Sequence, residues 1–380
     1  MKGKVETVFG PVEPSALGSV LTHEHLSHTL DDRVFTVTHA HHHGDMRQCP
    51  IVLENMWWIQ QFPYSHIDNL IFCDDNTRAA VIDDVKFFKQ NGGGTIVENS
   101  CRGMGRDIPF YRKVSTEAGV HVVAGTGRAK TGGGTLRSHF FLRHRRSWLK
   151  LRRFSGYYVT ANYAGSVLST SEEEFTRQFI SDIINGADGT DARCGVLGEL
   201  GCTWPLQDFE KRVLRAAATT QVSTGCPVII HPGRNPEAPF EIIRVFTEAG
   251  GLVGHTVMSH LDRTLLEETQ LAEFASLGCY CEHDLFGIET SHYQPGIAQD
   301  MPNDAQRLRL LKYLVDQGYE DKIVVGHDIH TKHRLMKFGG HGYSHILLNV
   351  VPKMLKRGFS PDVVNKITRV NPQTWLTFFK

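Results

Sequence analysis

Short apolar runs rich in β-branched residues recur along the chain, at 18–21, 94–98, 121–125, 195–200, 226–231, 256–260, 278–282 and 322–328. Each reads as a buried strand, since a brief apolar stretch bounded by turn residues fits a strand covered on both faces. Between them lie segments with apolar residues at helical spacing. Val81, Val85 and Phe88 mark 79–90, and further helices are expected over 209–224, 240–249, 265–277 and 305–317. Gly225, Gly250 and Gly318 follow three of these, as glycine often follows a helix C-terminus.

Eight strands alternating with helices predict an α/β protein, a (β/α)₈ TIM barrel spanning residues 1–380 as one domain. A doubly wound open sheet is the structural alternative. The barrel is favoured because polar residues fall at the C-terminal ends of many runs, not at one switch point. The long connection 27–93 is then an elaborated loop over the barrel mouth.

Composition adds little to this picture except at one place. The chain has 380 residues, 41% hydrophobic and 22% charged, as expected of a globular protein. No apolar run approaches the 18 or so residues that span a bilayer, and the first residues lack the apolar stretch of a secretory signal. The eight cysteines are scattered without a Cys-x-x-Cys pair, which suits reduced thiols and a cytoplasmic location. Of the 21 histidines, His39, His41, His42 and His43 form a polar tract that could bind metal only loosely.

The exceptional stretch is 128–156, with nine Lys or Arg and no Asp or Glu. The whole chain balances 41 basic against 41 acidic residues, so without this segment the balance is 32 against 41. Such a stretch could be a basic arm for nucleic acid or an anionic membrane, or a solvated loop. The favoured expectation is a translated intron or gene-model error, with disorder in any structure. No nucleic-acid or membrane partner is then expected.

Chemistry concentrates at the strand ends. On a strand, His23 and His25 share a face. Run four ends in Glu199, run five in His231, run six in His260 and run eight in Asp328. Four histidines and two carboxylates exceed what one tetrahedral zinc needs and suit two divalent ions about 3.5–4 Å apart. Zinc is the expected metal, although the mixed donors also suit others. Glu199 is the candidate bridge, with His23, His25 and Asp328 on one ion and His231 and His260 on the other. A water between two cations ionises near neutrality and becomes the nucleophile, and Asp328 is placed to take its proton and pass it on as the catalytic acid–base. His327, His330, His341 and His345 are candidate partners of the ligands, at least two of them expected to be ordinary buried histidines.

This ordered set resembles the amidohydrolase superfamily in its phosphotriesterase-like branch. Longer stretches are similar to the phosphotriesterase-related proteins of animals: LTHEHL, GGGTIVENS, GELGCTWP, VIIHPGR, MSHLDRT, HDIHTK and GGHGYSHIL. The resemblance covers essentially the whole chain except 128–156 and implies a metal-dependent hydrolase on a (β/α)₈ barrel. In bacterial phosphotriesterases a carboxylated lysine bridges the metals. Glu199 stands at that position here, which speaks against efficient phosphotriester hydrolysis. The animal relatives are linked to N-acyl amide hydrolysis, including that of N-acetyltaurine. Arg234 and Arg263, each three residues past a ligand, could dock an acid group, the alternative being structural ion pairs. Tyr157 and Tyr158 could line the pocket. The expected substrate is a small anionic N-acyl amino acid or N-acyltaurine, with ester, lactone or phosphoester hydrolysis as the alternative. The oligomeric state is open, with a homodimer among the options.

Overall fold

The computed structural model describes residues 1–29, 46–127, 168–293 and 300–380. The basic segment 128–156, Tyr157, Tyr158 and the histidine tract at 39 and 41–43 lie outside these residues.

Eight parallel strands form one sheet: β1 (Ser19–Glu24), β2 (Gly93–Glu98), β3 (His121–Thr126), β4 (Val196–Gly201), β5 (Val228–His231), β6 (Thr256–Met258), β7 (Tyr280–His283) and β8 (Ile323–Val325), each beside its sequence neighbour. The sheet curls until its two edges meet. No ladder is recorded between β8 and β1 among the described residues. Instead, Thr22 Oγ1 donates to the Val325 carbonyl at 2.9 Å and the Asp328 amide donates to the His23 carbonyl at 3.0 Å. Gly326 lets the seam close, because a Cβ there would lie 2.8 Å from the His23 carbonyl oxygen. Helices follow the strands in turn: α1 (Asp75–Gln90), α2 (Ile108–Ala118), α3 (Glu172–Ile184), α4 (Asp208–Thr224), α5 (Ala238–Glu248), α6 (Glu268–Ala275) and α7 (Asp304–Asp316), then C-terminal helical segments from Ile346–Val350 to Asn371–Leu376. This is the (β/α)₈ barrel that the strand pattern predicts.

The alternation of strand side chains explains the core. Val20, Val97, Val123, Val196, Ile229, Val257, Tyr280 and Val324, one from each strand, form a single buried layer inside the barrel. Val5, Leu17, Trp375 and Leu376 close it from below, with Val5 contributed by an N-terminal hairpin (Val5–Thr7 with Gly10–Val12). The outward residues pack against the helices in a second, larger cluster. The apolar floor leaves only the upper layer for polar chemistry.

Several boundaries differ from the sequence reading. Strand β6 stops at Met258 and β8 at Val325, so His260 and Asp328 lie beyond the strands, both in left-handed backbone, φ 56° and φ 53°. That turn aims each side chain back over the barrel axis, which a continuing strand would not do. Helix α6 is shorter than the expected 265–277, since Glu267 is extended. Helices α2 and α3 carry start signals that apolar spacing alone does not weigh: Asp107 and Ser171 each accept from a backbone N–H three residues on. The connection 27–93 contains α1, two short helices, Met56–Gln61 and Ile67–Leu70, and a small antiparallel pair, His28–Thr29 with Ile71–Phe72.

None of the eight cysteines is in a disulfide, and six are buried. Among the described residues, no helix is long and apolar enough to cross a membrane.

Candidate metal centre

The structure brings together all six residues that the strand ends single out, at the C-terminal mouth of the barrel. All are buried, none more than 8% exposed. Strand β1 supplies His23 and, just past its end, His25. Strand β4 supplies Glu199, and Gly198 before it must be glycine, because at φ 141° a Cβ would stand 2.3 Å from the Ile229 carbonyl oxygen. His231 is the last residue of β5.

Glu199 divides these residues into two groups. Its Oε2 lies 3.1 Å from His23 Nε2 and 4.0 Å from His25 Nε2. Its Oε1 meets His231 Nδ1 and lies 3.6 Å from His260 Nε2. Asp328 Oδ1 completes the first group at 3.1 Å from His25 Nε2 and 3.9 Å from His23 Nε2. In the second, His260 Nε2 and His231 Nδ1 are 2.8 Å apart. His23, His25 and Asp328, and separately Glu199, His231 and His260, have ligand atoms close enough to hold a metal ion.

The donor set fits divalent cations. His25 Nε2 is buried and has no hydrogen-bond partner, although two carboxylates face it. Burial would raise the Glu199 and Asp328 carboxyls, yet both are held well below the usual carboxylate range. His23 and His231 do this for Glu199, and His330 and His25 for Asp328. Burial, helped by His260, drives His231 down to about 3, so its ring is neutral. His23 and His260 are shifted the other way despite their burial, His23 upward by Glu199 and Asp284 and His260 to about 9 by Asp284. A divalent ion would displace protons from these two rings while taking the ionised carboxylates and neutral His231 as donors.

A second layer supports these groups, and the sequence reading missed most of it. Asp284 Oδ1 lies 2.8 Å from His260 Nδ1 and its Oδ2 lies 3.0 Å from His23 Nδ1, so one carboxylate orients a histidine of each group. Glu282 Oε2 is also 3.1 Å from His23 Nδ1, and Ser100 Oγ is 2.8 Å from His25 Nδ1. The signal for Asp284 was available: the polar run Glu282-His283-Asp284 continues past the point where run seven was ended.

The two arginines differ. Arg263 is 3% exposed, and its Nη2 lies 3.2 Å from His231 Nε2. No carboxylate pairs with it within 4 Å among the described residues, although Asp284 and Asp262 are near enough to be felt. Arg234 is half-buried and donates from Nε to the Tyr293 hydroxyl at 2.8 Å while its guanidinium covers the same ring. Tyr64, brought in by the connection after β1, stacks on His330, and its hydroxyl is 3.0 Å from His330 Nε2. Neither tyrosine carried a signal in the sequence. Tyr158 lies outside the described residues. His330 Nδ1 is 3.1 Å from Asp328 Oδ1 and His327 Nδ1 is 2.7 Å from Glu24 Oε1. His341 and His345 are occupied away from the centre, by the Gly342 carbonyl and by Asp304.

The sequence profile of the phosphotriesterase family matches residues 3–133 and 145–376, so the unmatched stretch, 134–144, is narrower than 128–156. An N-acetyltaurine hydrolase from Rattus norvegicus is 48% identical over 378 residues, covering 100% of this chain and 99% of that protein. One from Salmo salar is 47% identical over 380 residues, covering 100% and 99%. Among solved structures, a resiniferatoxin-binding protein from Rhodobacter sphaeroides superposes with a TM-score of 0.85 at 28% identity, covering 98% of this chain and 95% of that one.

Proposed function

The chain belongs to the phosphotriesterase family, and from that premise we propose that it is a cytoplasmic metal-dependent hydrolase of amide bonds in small anionic N-acyl amino acids or N-acyltaurines, N-acetyltaurine foremost. His23, His25 and Asp328 would hold one divalent ion and His231 and His260 a second, with Glu199 between them and zinc the expected metal. Bound there, the ions would polarise the scissile carbonyl and activate water near neutral pH. A carboxylate whose two oxygens face separate histidine groups supports two ions rather than one.

The observation that carries the substrate class is Arg263. A buried guanidinium without a carboxylate partner, beside a candidate ligand, is suited to receive the substrate's own acid group. Arg234, held by Tyr293, would flank that group. Asp328, facing the shared space and touched by His25 and His330, would take a proton and return it to the departing amine. Amines need that proton, which makes the carboxylate more valuable for amides than for activated esters.

The test combines metal analysis with hydrolysis of N-acetyltaurine, N-acetyl amino acids, lactones and aryl phosphates. The expected result is two equivalents of metal and the highest kcat/KM on an anionic amide. A clear preference for the lactone or the aryl phosphate would overturn the amide reading.

A further inference from the structure

The turn after β8 that carries Asp328 is held on both sides by two buried side chains, one a carboxyl and one a guanidinium. Glu24, the last residue of β1 and flanked by His23 and His25, points away from them and is fully buried. Its Oε1 accepts from the His327 amide at 2.8 Å and lies 2.7 Å from His327 Nδ1, and its Oε2 accepts from the Ile329 amide at 3.1 Å. Arg334 approaches the carbonyl side. It donates from Nη1 to the Asp328 carbonyl at 2.6 Å and from Nη2 to the His327 carbonyl, and reaches the Phe286 carbonyl at 3.2 Å. The Asp328 amide goes to the His23 carbonyl. The polar backbone groups that set the left-handed conformation of Asp328 are thus held by β1 and Arg334, with His330 Nδ1 also 2.6 Å from the Asp328 carbonyl.

We infer that Glu24 and Arg334 are positioning residues for Asp328: together they hold its peptide so that the carboxylate faces the histidines. The inference rests on the reading of Asp328 as the group that hands a proton to the leaving amine. The chemistry of the two side chains is specific. Glutamine at 24 offers one acceptor oxygen where both oxygens now accept, so its NH₂ would face an N–H donor. Lysine at 334 keeps the charge but cannot fork across three carbonyls.

The experiment uses the full-length holoenzyme and the variants Glu24→Gln, Arg334→Lys and Asp328→Asn, with N-acetyltaurine as the amide and p-nitrophenyl acetate as the activated ester. Removing partners that orient a ligand typically costs about 10–100-fold. Glu24→Gln and Arg334→Lys should lose that much in kcat on the amide, with KM nearly unchanged, and lose far less on the ester, reproducing the selectivity of Asp328→Asn. Metal-free protein titrated with Co(II) should show altered visible absorption in all three variants. Equal losses on amide and ester, or selective loss in Asp328→Asn alone, would overturn the inference. If Asp328→Asn itself shows no selective loss, the proton role fails, and the Co(II) spectra decide placement: unchanged spectra in both positioning variants overturn it. Should one positioning variant fail to fold, the other gives the answer.

Discussion

At the scale of single residues, the site was legible where chemistry is written in residue type and position together. His23, His25, Glu199 and His231 stand on or just past strands whose apolar runs are plain in the sequence, so their convergence follows from the barrel itself. His260 and Asp328 are also at run ends, but their inward aim depends on left-handed turns that no periodicity announces. Tyr64 and Tyr293 act through neighbours distant in sequence and were not legible, whereas Asp284 was within reach of the polar run that extends run seven. In the proposed function, Arg263 is the residue that would receive the substrate's acid group. Replacing it by Ala should raise KM for N-acetyltaurine by about 10–100-fold, the loss of one charge-assisted anion contact worth roughly 1.5–3 kcal/mol. Steady-state kinetics with a neutral N-acetyl amide checks this, since an equal rise there would show that Arg263 does not dock an acid group. Replacing His23 or His25 by Ala should abolish hydrolysis and remove about one equivalent of metal while leaving the circular dichroism of the barrel intact.

At the scale of elements, helix α1 contributes a group whose ionisation opposes folding. Asp84 accepts from the Met336 amide at 3.0 Å and so ties α1 to the segment after β8. Burial, with Asp83 adding, raises its carboxyl to about 7. An acid whose pKa is higher folded than unfolded binds more protons in the native state, so its contribution falls as pH rises. The loss begins near the unfolded value of about 4 and is complete above about 7, on the order of a few kcal/mol. Asp84→Asn keeps an acceptor for Met336 without the charge. Urea unfolding at pH 5 and pH 8 should show the variant gaining stability at pH 8 relative to the parent and matching it more closely at pH 5. A constant difference between the two pH values would show that Asp84 is not the group responsible. Element boundaries were the least legible part of the fold, because an extended residue, Glu267, delays α6 and left-handed turns follow β6 and β8, none of which apolar spacing announces.

At the scale of the whole molecule, the candidate ligands come from five separated points of the chain, so a metal bound there would be coupled to the fold. Removing metal with a chelator should lower the melting temperature measured by calorimetry. Each ion held at a free concentration 1,000-fold above its Kd adds about 4 kcal/mol. An unchanged melting temperature would mean that the six residues do not hold metal. The barrel itself was legible because eight apolar runs and their helices recur over nearly the whole chain. The segment 128–156 breaks that recurrence, but the family profile leaves only 134–144 of it unmatched, and we propose that those eleven residues are absent from the native protein. Sequencing the transcript should find these codons spliced out, and a protein lacking them should keep its activity on N-acetyltaurine.

The seam between β8 and β1 has a consequence in time. Thr22 and Val325, which meet across it, are 303 positions apart. At about 5–20 residues per second, the first strand leaves the ribosome some 15–60 s before the last. During that interval His23 and His25 are made but their partner Asp328 is not. All six candidate ligands are therefore present only once Asp328 has been made, and before that the nascent chain carries at most five of them. A metal held by His23, His25 and Asp328 would therefore be taken up late, after the seam has closed, and later than one held by Glu199, His231 and His260.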